Sequence, residues 1–319
     1  MHTCVRLHPA SAFMRNSYIS YLRDVRRYSE RTCAIYAEVL DSYVELCEGD
    51  DDFSKTLTVN GVRAYEVWLF DKRKLSPATV SQHLSVLSGF CRYLMKQGAL
   101  ESNPVHLVRR PRQEKRLPLF YKEKSMEAYF ESTKGDPEFG TLEQKLSRLI
   151  ISLLASCGLR RSELIGLNVG SVDFSRQVLR VKGKGDKMRE IPLIPSLCQE
   201  ISLYLNAVSS LSYDASDPQA PLLRTPKGAR LYPVFVDRVV KKELAAVPDI
   251  TVRRSPHVLR HTLATELLQD GADLSSIKEL LGHSSLAATQ VYTHNTVERL
   301  RKVYTNAHPR AKNGGKNGD

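Results

Sequence analysis

The 319-residue chain has no run of about 18 apolar residues, so no transmembrane helix is predicted. Its start also lacks the pattern of a secretory signal, which leaves a cytoplasmic protein as the expectation. Six cysteines are present (Cys4, Cys33, Cys47, Cys91, Cys157 and Cys198), but none forms a C-x-x-C pair. Zinc-ligand spacing is therefore missing, and a secreted disulfide framework does not suit a chain this long, so reduced thiols are expected. No internal repeat is visible, and acidic residues are in deficit. Lys+Arg 47 against Asp+Glu 35 gives a net charge of +12. Such a field attracts polyanions, which selects nucleic acid or an anionic membrane surface as partner classes. Without an apolar span, nucleic acid leads. With 42% hydrophobic and 26% charged residues the chain is not disordered throughout, and its length suits two domains.

Residues 1–13 show no periodicity and are read as a frayed extension. Residues 14–100 are patterned as helices. Tyr18, Tyr21, Leu22 and Val25 fall on one face, then Tyr36, Val39, Leu40, Tyr43, Val44 and Leu46 on the next. Ser29 and Thr32 offer N-caps, Ser76 before Pro77 opens a helix, and Gly98 stops it. Four short helices make an all-α N-terminal domain. Residues 101–118 hold three prolines and five basic residues, Arg109, Arg110, Arg112, Lys115 and Arg116, without an apolar period. They read as an extended cationic linker, either simply solvated or laid along phosphates.

Residues 119–310 mix helices with one hairpin. A helix runs from Gln144 to Ser156, Gly158 marks a turn, and another helix follows. "QVLRVKGKGDKMREIPLI" alternates on both sides of "GKGD", which predicts a β-hairpin. Further helices follow, and the tail at 311–319 is disordered by composition. The fold class is mainly α with a small β-hairpin or sheet: an all-α N-terminal domain and an α+β second domain.

Several residues of the second domain invite chemistry. In "PHVLRHTLATELL", His257, Arg260 and His261 share one helical face near a helix start, where free N–H groups favour an anion. The H-E-x-x-H pattern of a metallopeptidase is absent, and no metal site is implied. Arg160 and Arg161 follow the turn glycine in "GLRRSEL" and either face solvent or aim donors at a phosphate. Lys184, between Gly183 and Gly185 at the hairpin tip, is either solvated or able to reach a partner's groove. Gly282 is a candidate helix C-cap, followed by His283, with Tyr292 nine residues further on; taken alone, that tyrosine among Leu286, Ala287 and Val291 reads equally as core packing. Together these residues meet the needs of phosphodiester cleavage without a metal. Arg160 and Arg260 can clamp the non-bridging oxygens, Lys184 can protonate the leaving 5′-oxygen, and His257 can take the phenolic proton of a Tyr292 nucleophile. His283 can donate to a phosphate oxygen.

The set "GLRRSEL", "VKGKGDKMREIPL" and "HVLRHTLATELLQDGADLSSIKELLGHSSLAATQVYTH" resembles the tyrosine recombinases, and among them the bacterial Xer-type recombinases. The resemblance spans nearly the whole chain. It implies a helical core-binding domain at 14–100 and a catalytic domain at 119–310 that closes on a C-terminal exchange helix. It also implies the catalytic set Arg160, Lys184, His257, Arg260, His283 and Tyr292, with Lys187 an alternative hairpin lysine and Glu163 a structural residue that orients an arginine. The implied reaction passes through a 3′-phosphotyrosine and a Holliday junction, with no cofactor. The implied partners are double-stranded recombination sites, a homo-tetramer or a hetero-tetramer with a paralogue, and a DNA translocase. Val297, Leu300, Val303 and Tyr304 form an apolar stripe on the C-terminal helix, which either docks on the neighbouring protomer, as the resemblance implies, or folds back on its own domain. Chromosome dimer resolution, integration or excision of a mobile element, and inversion all use this chemistry. A type IB topoisomerase and a non-catalytic helix-turn-helix regulator are the alternatives.

Overall fold

The computed structural model describes residues 9–47, 53–112, 119–134, 140–183, 186–210 and 217–282. The chain divides into two compact units, Met1–Arg116 and Leu117–Asp319. Among the described residues, no helix is long and apolar enough to cross a membrane.

The first unit is helical. Helix α1 spans Pro9–Ser20 and widens into a π-helical turn over Tyr21–Val25. Helix α2 (Glu30–Leu46) starts where the Ser29 side chain accepts from Thr32 N, and α4 (Val59–Asp71) where Thr58 accepts from Gly61 N. Between them lies the short α3, Phe53–Thr56. Helix α5 (Pro77–Lys96) starts at Ser76, with Pro77 in the first turn, where its missing N–H costs nothing. Tyr18, Leu40, Tyr43, Tyr65, Leu84 and Phe90 are among the side chains buried where these helices meet.

Three expectations change here. Residues 9–13, read as frayed, form the start of α1. Val25, placed on the same face as Tyr18 and Leu22, is 66% exposed, whereas those two are 3% exposed. The π-turn takes up an extra residue per turn, which shifts the phase and rotates Val25 away from the core. Pro104–Leu107, read as linker, is a 3₁₀ turn whose Val105, with the following Val108, is buried in the first core. The Asn103 side chain holds that turn, accepting from Val105 N and donating to Ser88. One turn is too short to show a period.

In the second unit, α7 (Leu142–Cys157) is buried along most of its length, and a Thr141–Gln144 capping box starts it. Helix α6 (Glu123–Ser132), absent from the sequence reading, precedes it; only Ser125, Met126 and Tyr129 are buried on it, so its apolar period is faint. Helix α8 spans Arg161–Ile165. Then come three antiparallel strands in the order β1–β2–β3: Val172–Asp173, Val178–Lys182 and Met188–Pro192. The expected hairpin is β2–β3, with Leu179 opposite Ile191 and Val181 opposite Arg189. Strand β1 is an addition too short to leave a pattern. Helices α9 (Pro195–Ser209), α10 (Pro233–Ala245), α11 (Pro256–Gln269) and α12 (Leu274–Leu281) follow. Leu149, Leu153, Leu179, Ile191, Leu259 and Leu263 are part of one continuous core.

Candidate active site

Arg160 is delivered by a glycine turn. Helix α7 ends because Gly158 adopts φ 57° and ψ 33°, a left-handed conformation that a side chain resists. A Cβ at Gly158 would come within 2.6 Å of a Leu281 methyl and 2.9 Å of a Leu263 methyl, so α11, α12 and this turn meet where only glycine fits. Arg160 follows in extended conformation as the N-cap of α8. Glu163, one turn further, reaches back. Its Oε2 accepts from Arg160 N at 2.8 Å and its Oε1 from Arg160 Nη1 at 2.6 Å. One carboxylate thus satisfies a helix-start donor and orients the guanidinium, the residue-orienting role expected of Glu163.

That carboxylate is buried, and a second arginine holds it. Arg189 donates from Nη1 to Oε1 at 2.9 Å and from Nη2 to Oε2 at 2.8 Å, and both side chains are 4% exposed. Burial alone raises the Glu163 pKa. The Arg189 bonds and charge, followed by the Arg160 bonds, outweigh it and hold the group below its ordinary value.

Three guanidiniums converge on the end of α12. The last carbonyls of a helix lack intrahelical partners. Here Leu280 O accepts from Arg189 Nε at 3.0 Å, Leu281 O from Arg260 Nη2, and Gly282 O from Arg160 Nη2 at 2.8 Å. Arg260 also donates from Nη1 to Gly158 O at 2.6 Å and lies 3.9 Å from Glu163 Oε2. Burial, and then the neighbouring Arg160 charge, push its pKa down to about 10, so it stays charged at neutral pH. Three cations around one carboxylate leave the cluster positive, beside the residue that precedes His283.

His257 lies in the first turn of α11, one turn from Arg260, and is exposed. Partial burial of its ring, then the charges of Arg161, His261 and Arg260, lower its pKa despite the opposing pull of Asp237. Arg161 is ion-paired with Asp237 of α10. A neutral imidazole beside a cationic cluster is a group that accepts a proton.

Arg160 and Arg260 are therefore brought together at the end of α12, with His257 on the helix that carries Arg260. Lys184, His283 and Tyr292 lie outside the described residues, as do Lys115, Arg116, the exchange-helix residues Val297, Leu300, Val303 and Tyr304, and the tail at 311–319. Arg109, Arg110 and Arg112 are exposed in the first unit, where Arg110 Nη1 donates to Ser85 Oγ at 2.9 Å. Lys187, the alternative hairpin lysine, is exposed, and its carbonyl accepts from Gly183 N at 2.8 Å. The sequence reading missed Arg189 and Asp237. Arg189 left one signal, since strand alternation sets it on the side of Ile191 and Leu193, where a charge needs a buried partner. Asp237 left none.

Two family models match the chain: "Phage integrase family" over residues 138–299, and "Phage integrase, N-terminal SAM-like domain" over residues 14–99. Tyrosine recombinase XerC of Chlorobaculum tepidum is 33% identical to the chain, covering 92% of it and 94% of the relative. XerC of Bacillus subtilis is 33% identical with 92% and 95% covered, and XerC of Staphylococcus epidermidis 35% identical with 94% and 99% covered. Among solved structures, the Tn1549 transposon integrase in complex with circular intermediate DNA superposes with a TM-score of 0.64 at 18% identity, covering 90% of this chain and 98% of that one. Lambda integrase bound to DNA gives a TM-score of 0.62 at 18% identity, with 88% and 94% covered. At that identity the structural likeness speaks for the fold.

Proposed function

Because the chain belongs to the phage integrase family of tyrosine recombinases, on the Xer-type branch, we propose that Tyr292 is its nucleophile and that Arg160, Lys184, His257, Arg260 and His283 complete the catalytic set. The enzyme is a site-specific recombinase. Tyr292 attacks a scissile phosphate in duplex DNA, forming a 3′-phosphotyrosine and releasing a 5′-hydroxyl. Arg160 and Arg260 take the non-bridging oxygens, where charge develops in the pentacoordinate state. His257 accepts the phenolic proton, Lys184 protonates the leaving oxygen, and His283 donates to the phosphate. The 5′-hydroxyl of the partner duplex then attacks the phosphotyrosine and reseals the strand. The ester keeps the energy of the broken bond, so resealing draws on no nucleotide. Two rounds pass through a Holliday junction, which calls for four protomers, either copies of this chain or copies paired with a paralogue. A DNA translocase is the further partner of the dimer-resolution role.

A single observation carries this reading. Two arginines from separate helices, Arg160 and Arg260, meet at the end of α12, and the residue that follows Gly282 is His283.

The test is covalent trapping on nicked duplexes that carry a candidate recombination site. Wild-type protein is expected to give a slow protein–DNA band on a denaturing gel, and Tyr292→Phe to lose that band while still binding. A band that survives in Tyr292→Phe would overturn the assignment of the nucleophile.

A further inference from the structure

Arg189 lies on a strand remote in sequence from every residue of the proposed catalytic set except the hairpin lysine, yet it is as buried as Glu163. Each of its three nitrogens has a partner. Nη1 and Nη2 hold the Glu163 carboxylate as a bidentate pair, and Nε caps Leu280 O. Its guanidinium also lies against Gly282, where a Cβ would fall 3.1 Å from Nη1. The side chain therefore joins β3, α8 and the end of α12 at one point.

The consequence lies in what Arg189 leaves available. Glu163 must be neutralised where it is buried, because an unpaired carboxylate there is strongly unfavourable. Arg189 supplies the bidentate partner. Arg160 then meets the carboxylate with a single arm, Nη1, and Arg260 stays 3.9 Å away. Without Arg189, Arg160 and Arg260 are the remaining cations in contact with Glu163. They would be drawn inward, away from the position of a scissile phosphate.

We propose that Arg189 is a positioning residue for strand cleavage: it occupies Glu163 so that Arg160 and Arg260 keep their places on the carbonyls at the end of α12, with their remaining N–H groups available to phosphate, and it fixes that helix end one residue before His283. This rests on the catalytic reading above.

The experiment uses the full chain and nicked duplexes, and measures DNA affinity by mobility shift separately from the rate at which bound complex becomes covalent. Arg189→Met is expected to bind within about 3-fold of wild type yet cleave about 100-fold more slowly, the penalty of a clamp displaced by about an ångström. Arg189→Lys, which keeps the charge but not the planar bidentate fork, recovers part of that loss. In a Glu163→Gln background, where no carboxylate needs neutralising, Arg189→Met causes little further loss. A merely structural residue would instead reduce the amount of folded protein and leave cleavage per bound complex unchanged. If Arg189→Met does not fold, Arg189→Lys decides alone, with cleavage about 10-fold slower than wild type at unchanged affinity. Wild-type cleavage by Arg189→Lys would overturn the proposal. A wild-type protein that binds but forms no Tyr292-dependent band would instead overturn the catalytic reading on which it stands.

Discussion

At the scale of single residues, the site is a problem in keeping opposite requirements side by side. In the proposed mechanism the arginine clamp must stay cationic while the neighbouring imidazole stays neutral. Arg260 meets the first requirement: even pushed down to about 10 by burial and Arg160, it is charged across the working pH range. Partial burial of the ring, and then the same positive surroundings, meet the second, since together they lower the His257 pKa below its ordinary value of 6.5. A lowered pKa keeps the imidazole neutral at pH 7 and moves its protonation to more acid solution. Covalent complex formation at saturating protein should therefore hold its rate through neutral pH and fall only as pH drops through the lowered value. Arg161→Gln removes the largest neighbouring charge acting on the ring and leaves Asp237 unpaired beside it. Both changes raise the His257 pKa, so the acid limb should shift toward higher pH. A limb that does not move would separate His257 from the rate-determining proton transfer. Arg160, His257 and Arg260 stood out as candidates in the sequence because their spacing from glycines and from one another is local. Arg189 and Asp237 act through contacts made across the fold, which spacing cannot show.

At the scale of elements, the turn that carries Arg160 depends on Gly158, whose surroundings differ from those of Gly98. Gly98 and Gly158 both take positive φ after a helix, 71° and 57°. A Cβ at Gly98 meets nothing within 4 Å, whereas at Gly158 it meets Leu281 and Leu263. Gly98→Ala should therefore cost only the left-handed backbone strain, about 1 kcal/mol. Gly158→Ala carries that strain and an overpacking penalty of about 1–3 kcal/mol more. Because the clash pushes α12 from the Arg260 side, cleavage should fall too. Urea unfolding of the two variants, with cleavage measured alongside, tests the difference; equal losses would mean that α12 yields without resistance. The helix starts at Ser29 and Ser76 and the β2–β3 hairpin were legible in the sequence, because capping and alternation are written in adjacent residues. The π-turn that exposes Val25, the 3₁₀ turn at Pro104–Leu107 and the short strand β1 were not. Each is decided by packing against distant residues, and each is too brief to impose a period.

At the scale of the whole molecule, a net charge of +12 needs a counterpart, and the proposed one is the phosphate backbone of a duplex. Binding that neutralises phosphates releases condensed counterions, so affinity falls with salt by roughly 0.9 logarithmic units per logarithm of salt for each phosphate contacted. If the enzyme grips DNA along both units, six or more contacts follow, and raising salt from about 50 to 200 mM should weaken binding by about 1,000-fold or more. The segment that joins the units tests where those contacts lie. Arg109, Arg110 and Arg112 are exposed on the first unit, with Arg110 partly committed to Ser85 Oγ. Replacing all three by glutamine removes charge from groups whose hydrogen bonding leaves the core untouched, so the protein should keep its melting temperature. If the segment lies along the backbone, the salt slope becomes shallower by up to about 3, and less if Arg110 keeps its bond to Ser85 in the complex. An unchanged slope would make the segment a solvated connector and assign the phosphate contacts to the faces of the two units. A shallower slope with unchanged discrimination between sites would instead mark these arginines as holding the duplex in register while other side chains read the bases.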